Sequence, residues 1–119
     1  MGLTYVTVNI SNPASPKRSK RKKLLVDTGA FNSVVPEGVL KAIGIRPHKR
    51  DTFLLADGSR ITRDVGIALL QVNGKRAASE VIFGKSKDGV LLGVIALESL
   101  GLSVDPRTGK LKSVPLLLM

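Results

Sequence analysis

The segment Leu24-Leu25-Val26-Asp27-Thr28-Gly29-Ala30 constrains this chain more than any other. Three apolar residues run into an acid, a hydroxyl and a glycine. An aspartate in that setting sits at the end of a buried strand, on a turn that glycine allows to be tight. Two such carboxylates facing each other across a cleft can share one proton and activate a water. The chain contains a single stretch of this kind, so a second copy of the chain would have to supply the other carboxylate. The alternative is an aspartate that only caps a turn.

A chain of 119 residues suits one domain spanning 1–119. Its hydrophobic content of 43% is enough for a core, while aromatics at 3% leave that core to Val, Leu, Ile and Ala. Cysteine is absent, which removes disulfides and thiol nucleophiles. With one histidine and no cysteine, no structural zinc site is expected. Nothing resembles a signal peptide, and the apolar tail Leu116-Leu117-Leu118-Met119 is too short to cross a bilayer. A cytoplasmic location without a membrane partner is the expectation.

The formal charge of +10 attracts anions and opposes self-association unless the meeting surfaces avoid it. Much of it lies in Lys17-Arg18-Ser19-Lys20-Arg21-Lys22-Lys23. The bland reading of that run is a solvated, self-repelling loop or strand end. The functional one is a weak anionic partner, nucleic acid or acidic protein, held by Lys17, Arg18, Lys20, Arg21, Lys22 and Lys23. Interleaved aromatics, the usual companions of nucleic-acid binding, are missing from the run.

Patterning along the chain predicts an all-β fold with one or two short helices. Leu3 to Ile10 alternates as a strand, and Ser11 to Pro16 is turn chemistry. The second strand of this hairpin starts polar and ends buried at Val26. Ser33-Val34-Val35 precedes a helix through Glu37–Ile43, with Pro36 at its first position and Gly44 as its stop. Arg46 to Arg50 is a connector. Thr52–Leu55 and Arg60–Thr62 flank Ala56-Asp57-Gly58-Ser59, a hairpin signal. Val65–Val72 and Ala77–Phe83 flank a second hairpin turn at Asn73-Gly74. Val90-Leu91-Leu92 is a buried strand, followed by a helix from Val94 to Leu100 that Gly101 stops. A turn over Ser103–Gly109 leads to a last strand, Lys110–Val114. Val39–Ile45 and Ala96–Leu102 share a pattern, as if one strand–turn–helix unit were used twice.

These residues resemble the retropepsin-like aspartic proteases, the single-lobe type of retroviruses and their cellular relatives. The shared elements are Leu24 to Ala30, the hairpin Phe53 to Thr62, and Val90-Leu91-Leu92-Gly93 with the helix after it. Leu55-Ala56-Asp57-Gly58 and Leu91-Leu92-Gly93-Val94 are typical of the small prokaryotic members. The resemblance implies a small closed barrel-like sheet, paired about a two-fold axis into a homodimer. It implies an aspartic endopeptidase acting on polypeptide substrate, with Asp27 of each subunit catalytic and Thr28 and Gly29 supporting the catalytic turn. It makes the hairpin at Leu55, Ala56, Asp57 and Gly58 a flap, and it lines the substrate cleft with Ala30, Phe31, Asn32, Val90 and Leu91. Leu92 and Gly93 would pack behind the turn. Leu3 to Tyr5 and Leu111 to Leu118 would help to build the dimer sheet. No metal or organic cofactor is implied. Two rivals stand beside this reading: a non-catalytic module of the same fold that binds peptide or nucleic acid, and a monomer whose basic tract is the working part.

Overall fold

The computed structural model describes residues 3–115. Alternation in the first strand, β1 (Tyr5–Asn12), turns Val8 and Ile10 inward, where both are fully buried. Asn12 closes the following turn by accepting the Ala14 amide on Oδ1 (2.9 Å), and its Nδ2 donates to the Ile43 carbonyl (2.9 Å). The returning strand β2 (Ser15–Val26) carries the whole basic run as extended chain before it enters the core at Leu24.

Next come β3 (Ser33–Pro36), α1 (Glu37–Ala42), β4 (Lys49–Leu54), β5 (Arg60–Val72), β6 (Lys75–Gly84), β7 (Leu91–Leu92), α2 (Val94–Leu100), β8 (Leu102–Val104) and β9 (Leu111–Ser113). The large sheet runs β1-β2-β7-β3-β6-β5-β4, and a further β1–β5 pairing closes it into a barrel. β4 is left outside the ring, on the first half of β5. The core holds Ile10, Leu24, Leu40, Leu70, Phe83 and Leu92, with α2 covering one opening through Ala96, Leu97 and Leu100. Phe83 is the one aromatic among these buried residues. No helix among the described residues is long and apolar enough to cross a membrane.

The expected elements are present, with shifted bounds. Arg60–Thr62 and Val65–Val72 are one continuous strand, because the charged residues between them are paired: Arg63 with Asp88 and Asp64 with Arg50. β4 begins at Lys49, inside the expected connector, for a related reason: Lys49 is bound to Asp51 and Glu80. Pro36 ends β3 and precedes the first helical residue. Ser103 and Val104, expected in a turn, form β8 and pair with β9 within the chain. Of the segment expected in a dimer sheet, Leu111–Ser113 is therefore already paired, and 116–118 lie outside the described residues. Of the pattern shared by Val39–Ile45 and Ala96–Leu102, the helix ending recurs, at a left-handed glycine in each case, Gly44 (φ 80°) and Gly101 (φ 70°), but β3 stands between the Asp27 turn and α1, whereas only Gly93 separates β7 from α2. Asn73 and Gly74 both take positive φ in the two-residue turn joining β5 to β6.

Candidate active site

β2 delivers Asp27 to the surface from inside the barrel. Leu24 is fully buried, Leu25 and Val26 pair in parallel with Leu91 and Leu92, and Asp27 is half-buried just beyond. Its amide donates to the Leu92 carbonyl (3.0 Å), and its carbonyl accepts from the Ala30 amide (3.2 Å). That second bond closes a tight turn over Asp27-Thr28-Gly29-Ala30. Within it the Gly29 amide donates to Asp27 Oδ1 (2.9 Å), so the carboxylate is fixed by its own turn.

The far side of the turn is held just as firmly. The first amides of a helix lack partners within the helix. In α2, the Val94 amide donates to the Ala30 carbonyl (2.8 Å) and the Ile95 amide to the Phe31 carbonyl (3.2 Å). The Gly93 amide donates to Ser33 Oγ (3.0 Å), a buried hydroxyl. Gly93 sits so close that a Cβ there would lie 2.6 Å from both the carbonyl carbon and the oxygen of Asn32. Glycine at this position is what lets α2 clamp the loop from behind.

Two grooves flank the turn. One, of about 780 Å³, runs between the turn and the β4–β5 hairpin. Its floor is Val34, Ile82 and Leu91, which lie side by side in the sheet register. Ala30, Phe31 and Asn32 form one wall, and Phe53, Leu54, Leu55, Ala56 and Ile61 from the hairpin form the other. Lys87, Asp88 and Gly89 close one end. The second groove, of about 730 Å³, lies on the Thr28 side, between Val26, Val94 and Leu97 and the β8–β9 turn.

Of the two charged residues lining the first groove, Lys87 and Asp88, the acid is paired in place. Arg63 grips Asp88 with two bonds, Nε to Oδ2 (2.7 Å) and Nη2 to Oδ1 (2.9 Å), and the Lys85 amide adds a third (2.7 Å). The guanidinium bond, more than the backbone bond, holds the Asp88 carboxyl below its usual pKa. Asp57, at the hairpin tip, accepts from the Ser59 hydroxyl and amide, which likewise lower its pKa. Its charge is thus turned onto its own loop and away from the groove.

Of the residues expected to line a cleft, Ala30, Phe31, Asn32, Leu55, Ala56 and Leu91 do so together. Asp57 and Gly58 stand beyond the wall, at the exposed tip. Val90 is half-buried against the core, its carbonyl accepting the Leu25 amide (3.1 Å). The floor residues Val34 and Ile82, and the hairpin residues Phe53, Leu54 and Ile61, were not expected there. Each lies on a strand recognisable in sequence, but which strands lie side by side is a matter of register. Among the described residues, no three of His, Asp and Glu converge as a metal site.

A family model described as "gag-polyprotein putative aspartyl protease" matches residues 18–99. No curated protein sequence matches the chain. Among solved structures, it is similar to the simian foamy virus (mac) protease, with a TM-score of 0.55 and 22% identity over 80% of this chain and 92% of that one. It is also similar to EIAV protease complexed with the inhibitor HBY-793, with a TM-score of 0.63 and 15% identity over 98% and 94% of the two chains. A third likeness is to the foamy viral protease-reverse transcriptase in complex with RNA/DNA hybrid, with a TM-score of 0.58 and 18% identity; it covers 98% of this chain and 13% of that larger one. At these identities the solved structures speak for the fold, and it is the retroviral-protease fold.

Proposed function

Because this chain belongs to the gag-polyprotein aspartyl protease family, we propose that it is an aspartic endopeptidase that works as a homodimer, with one Asp27 from each subunit. The observation that carries this reading is the setting of Asp27: a lone acid at the end of a core strand, on a turn pinned from both sides, between two open grooves.

Two carboxylates in near contact resist carrying two charges, so the pair holds a single proton. The ionised member takes a proton from a water as its oxygen attacks the peptide carbonyl carbon. The protonated member donates to the carbonyl oxygen, giving a tetrahedral diol. Collapse of the diol breaks the C–N bond, with a proton passing to the leaving nitrogen. Thr28 and Gly29 serve the turn: Gly29 orients the carboxylate through its amide, and the exposed Thr28 hydroxyl faces the side where a partner would sit.

The groove beside Thr28 is the meeting face in this proposal. Its walls are mostly apolar, and of the nineteen Lys and Arg residues only Arg107 lines it, which suits a chain whose charge otherwise repels its copies. The other groove takes the substrate as an extended strand under the β4–β5 hairpin. Its floor of Val34, Ile82 and Leu91 selects apolar side chains near the scissile bond. The test is cleavage of an unstructured polypeptide by the purified protein. Asp27→Asn is expected to abolish cleavage and leave the dimer mass unchanged; a variant that still cuts would end the proposal.

A further inference from the structure

Six of the seven residues from Lys17 to Lys23 are cations, and the strand pairing determines how they are presented. Lys20 pairs with Ile10 and Lys22 with Val8, so both share the face of the core residues. Arg21 and Lys23 pair with Asn9 and Thr7 on the opposite face. One strand thus carries cations on both sides. Its other edge meets β7 only at Leu25 and Val26. From Ser15 to Lys23 that edge has no neighbouring strand among the described residues. None of the six cations has an acidic partner among the described ion pairs, which use Glu37, Asp51, Asp64, Glu80, Asp88 and Asp105. Arg18 reaches the Ala42 carbonyl at 3.4 Å, and Lys23 lies over the Tyr5 ring at 5.2 Å.

We propose that this free edge of β2 takes up an extended acidic segment of another polypeptide as an added strand. A bare edge offers amides and carbonyls for pairing, and strand addition uses them. Side chains of an added strand alternate between faces, so acids at successive positions meet Lys20 and Lys22 on one side and Arg21 and Lys23 on the other. A nucleic-acid strand lies against one face and leaves half of these cations idle. A second copy of this chain is excluded, because two such edges would oppose like charges. The inference goes beyond hydrolysis and holds whether or not the chain cleaves what it docks.

The test uses the full chain carrying Asp27→Asn, in which the Asn side-chain oxygen can still accept the Gly29 amide and no probe is cut. Fluorescence anisotropy is measured with a labelled peptide of consecutive Glu residues flanked by Val, whose acids face both sides of an added strand, and with an oligothymidylate of equal charge. Amide hydrogen exchange is followed with the peptide bound. The expected result is peptide binding that weakens with salt, with exchange slowed over residues 17–23. Replacing Lys20, Arg21, Lys22 and Lys23 together by Gln should weaken binding about tenfold or more. Tighter binding of the oligothymidylate at the same salt would overturn the proposal. So would slowed exchange over the β4–β5 hairpin in place of residues 17–23, which would mark the peptide as an occupant of the cleft. The exchange map on the unaltered strand decides the matter even if the four-site variant folds poorly.

Discussion

Adding one methyl group at Gly93 tests the clamp behind the Asp27 turn. Carbon atoms pack best at about 3.5–4.0 Å. A Cβ at residue 93 would stand 2.6 Å from the carbonyl carbon and oxygen of Asn32 and 2.7 Å from the carbonyl oxygen of Phe31. The overlap is about 1 Å, and the opposing atoms are backbone, which cannot rotate away as a side chain would. Overpacking of this kind costs about 1–3 kcal/mol. Gly93 has φ −86° and ψ 174°, which alanine adopts freely. The substitution therefore also returns about 0.4–1 kcal/mol by restricting the unfolded chain. Gly93→Ala should be destabilising by about 1–2 kcal/mol net, read as a lower urea midpoint with an unchanged slope. Because the displaced atoms belong to the loop carrying Asp27, cleavage should fall further than stability, by up to about 100-fold for a shift near 1 Å. Gly38 supplies the control: it lies in α1 with no atom within 4 Å of a Cβ. Gly38→Ala should stabilise by about 1 kcal/mol. If Gly93→Ala proved as stable and as active as the parent, the clamp as described would be wrong.

Ser33→Ala removes the only hydrogen-bond partner described for the buried Gly93 amide and should cost about 1–3 kcal/mol, measured by urea titration; Ser33→Thr would test whether a hydroxyl alone suffices. Asp88, with its pKa lowered by Arg63, contributes stability that is full above the ordinary carboxylate pKa near 4 and drains away as pH falls through the lower folded value. Arg63→Gln should flatten that acid limb in melting curves taken across the range, and an unchanged limb would remove Asp88 as its source. Leu91→Asn places an amide on the apolar floor of the cleft and should raise KM for substrates with apolar side chains at the scissile bond, while circular dichroism reports an intact sheet.

The fold was readable in sequence wherever local chemistry decides it. The run from Leu24 into Asp27-Thr28-Gly29, the Asn73-Gly74 turn and the helix stops at Gly44 and Gly101 are each settled by a few neighbouring residues, and each was found where expected. The bounds of β4 and β5 were missed where charge pairing overrides local pattern, and β8 was missed because it is fixed by its pairing with β9. Arg63 and Asp64 look like a break between strands, yet Asp88 and Arg50 allow β5 to run through them. The same holds for the site. Asp27 and its turn were legible because strand, acid and glycine are contiguous. Val34, Ile82 and Leu91 form a floor only through the pairing of three strands, which no local signal specifies. Asp57 was legible as part of the hairpin tip, but its bonds from Ser59, which turn its charge back onto the loop, were not.

Mixing subunits tests the shared-carboxylate proposal most directly. Asp27→Asn protein is added in increasing amounts to a fixed amount of unaltered protein under conditions of rapid subunit exchange, and cleavage is measured. If each active unit needs two Asp27 side chains, inactive mixed dimers accumulate, and an equal amount of variant lowers activity to about half, with larger excesses driving it towards zero. Activity that stays constant or rises as the variant is added would mean that one Asp27 suffices, contradicting the account.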